Sequence, residues 1–171
     1  MSAEAVMELA NVSRTYGQGE ATVFALRNVS LRVLSGEFVS IVGPSGSGKS
    51  TMLGLLGCLD VPTSGTITVC GKEITALGDA ERTAVRGRTI GFVFQQFHLI
   101  PHLDAAGNVE TALLYRGFKP AERRDRALAA LQQVGLLPRA DHRPVQLSGG
   151  EQQRVALARA LVTEPRILLG D

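Results

Sequence analysis

The run Gly43-Pro44-Ser45-Gly46-Ser47-Gly48-Lys49-Ser50-Thr51 fits the pattern G-x-x-x-x-G-K-[ST] from Gly43 to Ser50. That spacing turns successive backbone N–H groups into one concavity that binds phosphate oxygens, and glycine keeps side chains out of the way. Lys49 supplies a point charge for the outer phosphates, and the Ser50 hydroxyl supplies a ligand for Mg²⁺. The chemistry needs a strand to deliver the loop and a helix to receive it, because the helix dipole favours an anion at its N-terminus. Phe38 to Val42 is predicted as a short buried strand and Ser50 to Leu56 as the following helix. A flexible Gly/Ser linker would not show that order.

About a hundred residues later stands Leu147-Ser148-Gly149-Gly150-Glu151-Gln152. Ser148 opens an apolar-periodic stretch (Val155, Leu157, Ala158, Leu161, Val162), so it is predicted to cap a helix with Glu151 as its capping-box partner. The glycine pair exceeds what a cap requires. Glycine is unfavourable in a helical first turn and is useful where another body, such as a phosphate, must approach the backbone. The chain closes on the apolar run Ile167-Leu168-Leu169, then Gly170 and Asp171.

Together with Gln153 to Leu161, these motifs resemble the nucleotide-binding subunits of ABC transporters, and the resemblance spans the whole chain. It implies an α/β P-loop ATPase with an antiparallel β layer, a mostly parallel core sheet and a helical subdomain, incomplete at the C-terminus. The divisions fall at about 1–95, 96–146 and 147–171. The implied cofactors are ATP and Mg²⁺, the latter held by Ser50, Gln95 and Asp171. Gln95, at the end of Thr89-Ile90-Gly91-Phe92-Val93-Phe94-Gln95, is the implied sensor of Mg²⁺ or the attacking water. Tyr16 is similar in placement to the aromatic that stacks on adenine, and stacking needs an aromatic in a chain that has few. Ser148, Gly149, Gly150 and Glu151 face the ATP held by a second copy, and Phe97 to Tyr115 faces a membrane permease. Tyr16-Gly17, Val23 to Leu26 and Phe94 to Leu99 most resemble the lipoprotein-releasing and macrolide-exporter branch. Gly170 stands where the family more often has a bulkier residue.

The chain has 171 residues, is 44% hydrophobic and carries a net charge of +2. That suits one globular domain and provides no strong pull toward nucleic acid. No apolar run approaches the ~20 residues that span a bilayer, and no signal segment opens the chain, so the expected location is cytoplasmic, on the inner membrane face through the permease. Cys58 and Cys70 lack metal spacing and are expected as reduced packing thiols. Asn11-Val12-Ser13 and Asn28-Val29-Ser30 are chance matches to a glycosylation pattern. Pro101 breaks the helix that would pair His98 with His102 on a metal, and Arg123, Arg124 and Arg126 are expected on a solvated helix face.

Strands are predicted over Glu8 to Tyr16, Phe24 to Leu34, Thr66 to Val69 and Ile90 to Phe94, with a turn at Gly17-Gln18-Gly19-Glu20 between the first two. Helices are predicted over Asp79 to Arg88, Asp104 to Tyr115 and Pro120 to Val134, with Gly135 at C′. The resemblance also places a general-base glutamate and a γ-phosphate histidine beyond Asp171, and a central strand between those carrying Asp171 and the phosphate loop. This chain alone is therefore expected to turn over ATP negligibly and to be poorly stable. Two other readings stay open: a soluble ABC-type ATPase acting on nucleic acid or ribosomes, which the short Gln95 to Ser148 interval disfavours, and a non-hydrolytic nucleotide-binding remnant.

Overall fold

A computed structural model of the chain describes residues 4–17 and 19–171. Gln18 of the predicted turn lies outside the described residues. The chain divides into two compact units, residues 1–87 and 88–171.

In the first unit, β1 (Ala5–Tyr16) and β2 (Val23–Leu34) pair antiparallel up to Tyr16 opposite Val23. With β3 (Ser64–Val69) and β4 (Lys72–Glu73) they form a sheet of order β2-β1-β3-β4. Ile67 and Val69 alternate inward on β3, and β1 buries Leu9 and, beyond a register shift, Val12, as a sheet with one covered face requires. The ladder is broken by bulges at Asn11 and Asn28, whose φ values are 51° and 49°, a region that Asn tolerates better than most residues. The Asn11 N–H donates to Ser30 Oγ at 3.0 Å and the Asn28 N–H to Ser13 Oγ at 2.9 Å. Each Asn-Val-Ser triplet thus supplies the hydroxyl that satisfies the other triplet's bulge, which gives both a structural role.

Helix α1 (Lys49–Leu56) buries Leu55 and Leu56. The chain then folds back, and the Leu59 and Asp60 N–H groups both donate to Gly54 O, at 2.9 and 3.3 Å. The predicted buried strand over Phe38 to Val42 is not formed: the segment has no ladder, and Phe38 and Val42 are 95% and 85% exposed. An apolar run becomes a strand only where another strand supplies hydrogen-bond partners, and none does among the described residues.

Helix α2 (Asp79–Thr89) buries no residue, as its polar sequence predicts. In the second unit, β5 (Ile90–Val93) and β6 (Ile167–Gly170) run parallel, Ile90 opposite Ile167 and Val93 opposite Gly170. Helices α3 (Ala105–Glu110), α4 (Pro120–Gln133) and α5 (Gly149–Leu161) share a core that includes Ala106, Val109, Ala127, Leu131, Val155 and Ala158. Alanines at these contacts let the helix backbones approach closely. Pro120 opens α4, and Gly135 follows it at φ 71°. The helix predicted to reach Tyr115 ends earlier, tightening into a 3₁₀ turn over Thr111–Leu113.

Arg124 does not lie on a simple solvated face. It pairs with Asp104 and Glu110 at 3.3 Å and with Asp141 at 2.6 Å, because the acids that meet it come from elements distant in sequence. Arg126 lies over the Phe118 ring at 4.2 Å.

Asn108 is a fully buried polar side chain. Its Oδ1 accepts from the Ile100 N–H at 2.6 Å, and its Nδ2 donates to the carbonyls of Ile100, Leu103 and Asp104 at 3.0–3.2 Å. The side chain therefore ties residues 100–104 together, adding to the backbone bonds from the Leu103 N–H to Ile100 O and from the Asn108 N–H to Asp104 O. Asn108→Ala removes the bonds to the Ile100 N–H and the Leu103 carbonyl and leaves a buried void, and is expected to lower stability by roughly 2–3 kcal/mol, a loss of about 5–10 °C in melting temperature. Melting within about a degree of the parent would contradict this account.

Candidate nucleotide site

The phosphate loop takes its shape from backbone requirements at three glycines. Gly46 and Gly48 have φ values of 78° and 90°, where a Cβ is strained. Gly48 is the N-cap of α1, and a side chain there would collide with the Ala25 carbonyl oxygen and come within 3.1 Å of Leu26 Cδ2. A Cβ on Gly43 would lie 2.7 Å from Ser47 Oγ. The loop is closed by Ser47 N–H donating to Pro44 O at 3.3 Å.

Lys49 folds across this loop, its ammonium donating to the carbonyls of Gly43 at 2.9 Å and Pro44 at 2.7 Å. Ser45 and Ser47 are exposed in the loop, Ser50 is exposed in the first turn of α1, and Thr51 behind it is half-buried. Backbone N–H groups, a cation and a hydroxyl therefore stand at one helix N-terminus, the arrangement that binds a phosphate chain. Tyr16 belongs to the same unit, at the end of β1, and is 42% exposed.

In the second unit, Gln95 and Asp171 follow the carboxyl ends of β5 and β6. Parallel pairing in register brings the two ends to the same edge, with the Asp171 N–H donating to Val93 O at 3.1 Å. Both side chains are exposed. In parallel sheets this edge is where ligands bind.

Helix α5 begins with the predicted capping box. Ser148 Oγ accepts from the Glu151 N–H at 3.3 Å, and the Ser148 N–H and Oγ–H donate to Glu151 Oε2 at 2.8 Å. The bond from the Ser148 backbone, then that from its hydroxyl, holds the Glu151 carboxyl below the usual carboxylate range. A Cβ on Gly149 or Gly150 would meet nothing within 4 Å, and neither residue has a positive φ. Nothing in this chain's own packing requires glycine at either position.

Three residues to which no motif points stand beside these groups in the structure. Arg159 Nη1 and Nη2 donate to the carbonyls of His98 at 2.7 Å and Phe97 at 2.6 Å. Burial lowers the Arg159 pKa from the usual guanidinium value. Phe97 and His98 both have positive φ, and the His98 ring meets Phe94 edge-on with centroids 5.2 Å apart. Arg159 thus ties the turn after Gln95 to α5, and the available signal was an arginine set between the apolar residues Ala158 and Ala160. Arg14 and Asp60, which contact Tyr16, carry no sequence signal beyond an Asp ahead of a Pro-containing turn. Arg159→Ala is expected to speed hydrogen exchange at the Phe97 and His98 amides at least about tenfold, since two charge-assisted bonds are lost. Unchanged exchange would remove Arg159 from this role.

A glycine loop feeding a helix, a capped glycine pair opening a second helix, and polar residues at the ends of parallel strands define an α/β P-loop nucleotide-binding protein. The ABC transporter family profile matches residues 26–171. An uncharacterized ABC transporter ATP-binding protein of Bacillus subtilis, YknY, is 51% identical over 166 residues, covering 97% of this chain and 72% of that protein. The macrolide export ATP-binding/permease protein MacB of Escherichia coli is 48% identical over 97% of this chain and 26% of its own length. Among solved structures, the dimeric post-hydrolysis state of the ATP-binding cassette MJ0796, bound to ADP and Pi, superposes with a TM-score of 0.87 at 53% identity, covering 96% of this chain and 73% of that one. This chain belongs to the ABC transporter family, as an ATP-binding subunit with the fold of an ABC ATPase.

Proposed function

We propose that the chain binds Mg-ATP through Gly43 to Thr51 and pairs with a second copy, each Ser148 to Glu151 segment closing on the nucleotide held by the other. The open space over Gly149 and Gly150 carries this reading. Two glycines that the chain does not need for its own packing lie at the N-terminus of a 13-residue helix, where approach to the backbone is unobstructed and the dipole favours a phosphate. The MJ0796 relative is dimeric with ADP and Pi bound, which supports the same arrangement here.

Ser50, Gln95 and Asp171 offer hydroxyl, amide and carboxylate oxygens, a hard donor set of the kind Mg²⁺ takes. They are assigned to the metal on that chemistry and on the family resemblance. When bound, Mg²⁺ neutralises charge on the outer phosphates. Tyr16 is assigned to the adenine. The segment 96–146 is assigned as the helical subdomain, with Phe97 to Tyr115 toward a permease; Tyr115 is 99% exposed. No helix among the described residues is long and apolar enough to cross a membrane. MacB, whose name joins ATP-binding and permease, favours export as the direction of coupling.

Sedimentation of a hydrolysis-blocked chain extended to the length of the Bacillus relative, with and without Mg-ATP, tests the pairing. A shift from monomer to dimer on adding nucleotide is expected. A monomer at saturating Mg-ATP would refute it.

A further inference from the structure

Tyr16 is held by contacts that a packing tyrosine would not need. Its hydroxyl donates to Asp60 Oδ2 at 2.9 Å, while the residue as a whole remains 42% exposed. Arg14 is two residues earlier on β1 and therefore on the same sheet face. Its guanidinium carbon lies 4.6 Å from the ring centroid, covering one face. Arg14 is itself fixed, with Nη2 donating to Asp60 Oδ1 at 2.8 Å. The phenol is thus tied at its rim and covered on one side.

Asp60 is anchored in turn. Its Oδ1 accepts from the Val61 N–H at 2.8 Å, and its own N–H donates to Gly54 O, inside α1, at 3.3 Å. Asp60, whose carboxylate grips Tyr16, thus stands four residues past the end of the helix that starts at the phosphate loop, and is bonded back to it. A second connection runs through β2, where Val23 is paired with Tyr16 and, two residues on, the Ala25 carbonyl lies against Gly48 of the loop.

We propose that Asp60 is a positioning residue that holds Tyr16 as a one-sided platform, its free face turned to a nucleotide base and its location set by the helix that carries the phosphate loop. This rests on the reading of Tyr16 as the base-stacking residue and adds what orients it. Without Asp60 the ring rotates freely, and the entropy of ordering it falls on ligand binding. Only ligands with a base are affected; a bare phosphate chain is not.

The chain has no Trp and two Tyr, so Tyr115→Phe leaves Tyr16 as the only source of tyrosine emission. In that background Mg-ATP is expected to quench the emission, and Mg-tripolyphosphate to bind, by calorimetry, without quenching. Asp60→Ala is expected to weaken Mg-ATP binding about tenfold and leave tripolyphosphate affinity unchanged. Tyr16→Phe should weaken Mg-ATP similarly, and the double variant little further, because both changes remove one interaction. Asp60→Asn, which can accept at Oδ1 and donate from Nδ2 to the phenol oxygen, should recover most of the affinity. Parent-like Mg-ATP affinity in Asp60→Ala with quenching retained would overturn the positioning role while leaving the stacking of Tyr16 intact. An equal loss of tripolyphosphate would also overturn it, by assigning Asp60 to the phosphate helix. Absence of quenching in the Tyr115→Phe chain would remove the stacking itself.

Discussion

Lys49→Ala is expected to weaken Mg-ATP binding by about thirtyfold or more, the equivalent of roughly 2 kcal/mol, because the ammonium is the one side-chain cation in the phosphate loop and its bonds to phosphate are charge-assisted. The ammonium donates to the carbonyls of Gly43 and Pro44. Both residues are exposed, so water replaces the lysine when it is removed. The melting temperature is therefore expected to move by only about a degree or two while affinity falls, a separation that distinguishes loss of a ligand contact from loss of fold. Lys49→Arg should not restore binding, since a planar fork does not replace a compact point charge in so tight a loop. Isothermal calorimetry with Mg-ATP decides it; an unchanged dissociation constant would show that the loop binds phosphate without Lys49.

The second large effect is expected from Ser148→Arg. The substitution removes the hydroxyl that accepts from the Glu151 N–H and donates to Glu151 Oε2, a capping loss of about 1 kcal/mol. It also sets a long cation into the open ground before Gly149 and Gly150. Because Ser148 is assigned to the nucleotide held by the other copy, each subunit should keep its Mg-ATP affinity while ATP-dependent pairing is abolished. Ser148→Ala, which loses the cap without adding bulk, should pair weakly but measurably. Sedimentation of the hydrolysis-blocked, extended chain in Mg-ATP separates these outcomes. A Ser148→Arg variant that dimerises like its parent would detach Ser148 to Glu151 from the partner's nucleotide.

Both ends of α4, the start of α5 and the glycine loop before α1 were legible in the sequence because each is set by residues close together in the chain. Gly48 must be glycine for a backbone reason, Ser148 and Glu151 form their box within one turn, and Pro120 and Gly135 bracket α4 by the stereochemistry of their own φ angles. The same locality identified the family, since its motifs are short and contiguous. Phe38 to Val42 shows where local reading stops. Its apolar, β-branched composition permits a strand, but the ladder partner is a property of the sheet and not of the segment, and here the segment stays exposed and unpaired among the described residues.

What the sequence determined by itself was the set of groups available: a glycine-rich loop with its lysine, a capped glycine pair, and the side-chain oxygens of Ser50, Gln95 and Asp171. Tertiary structure alone decided which residues hold those groups in place. Asp60 meets Tyr16 across 44 residues, Arg159 reaches the turn at Phe97 and His98 across about sixty, and Arg124 gathers Asp104, Glu110 and Asp141 around one guanidinium. Such partners leave no periodic or motif signal, because a side-chain hydrogen bond depends on positions in space, and two residues far apart in the chain become neighbours only when the elements between them have packed.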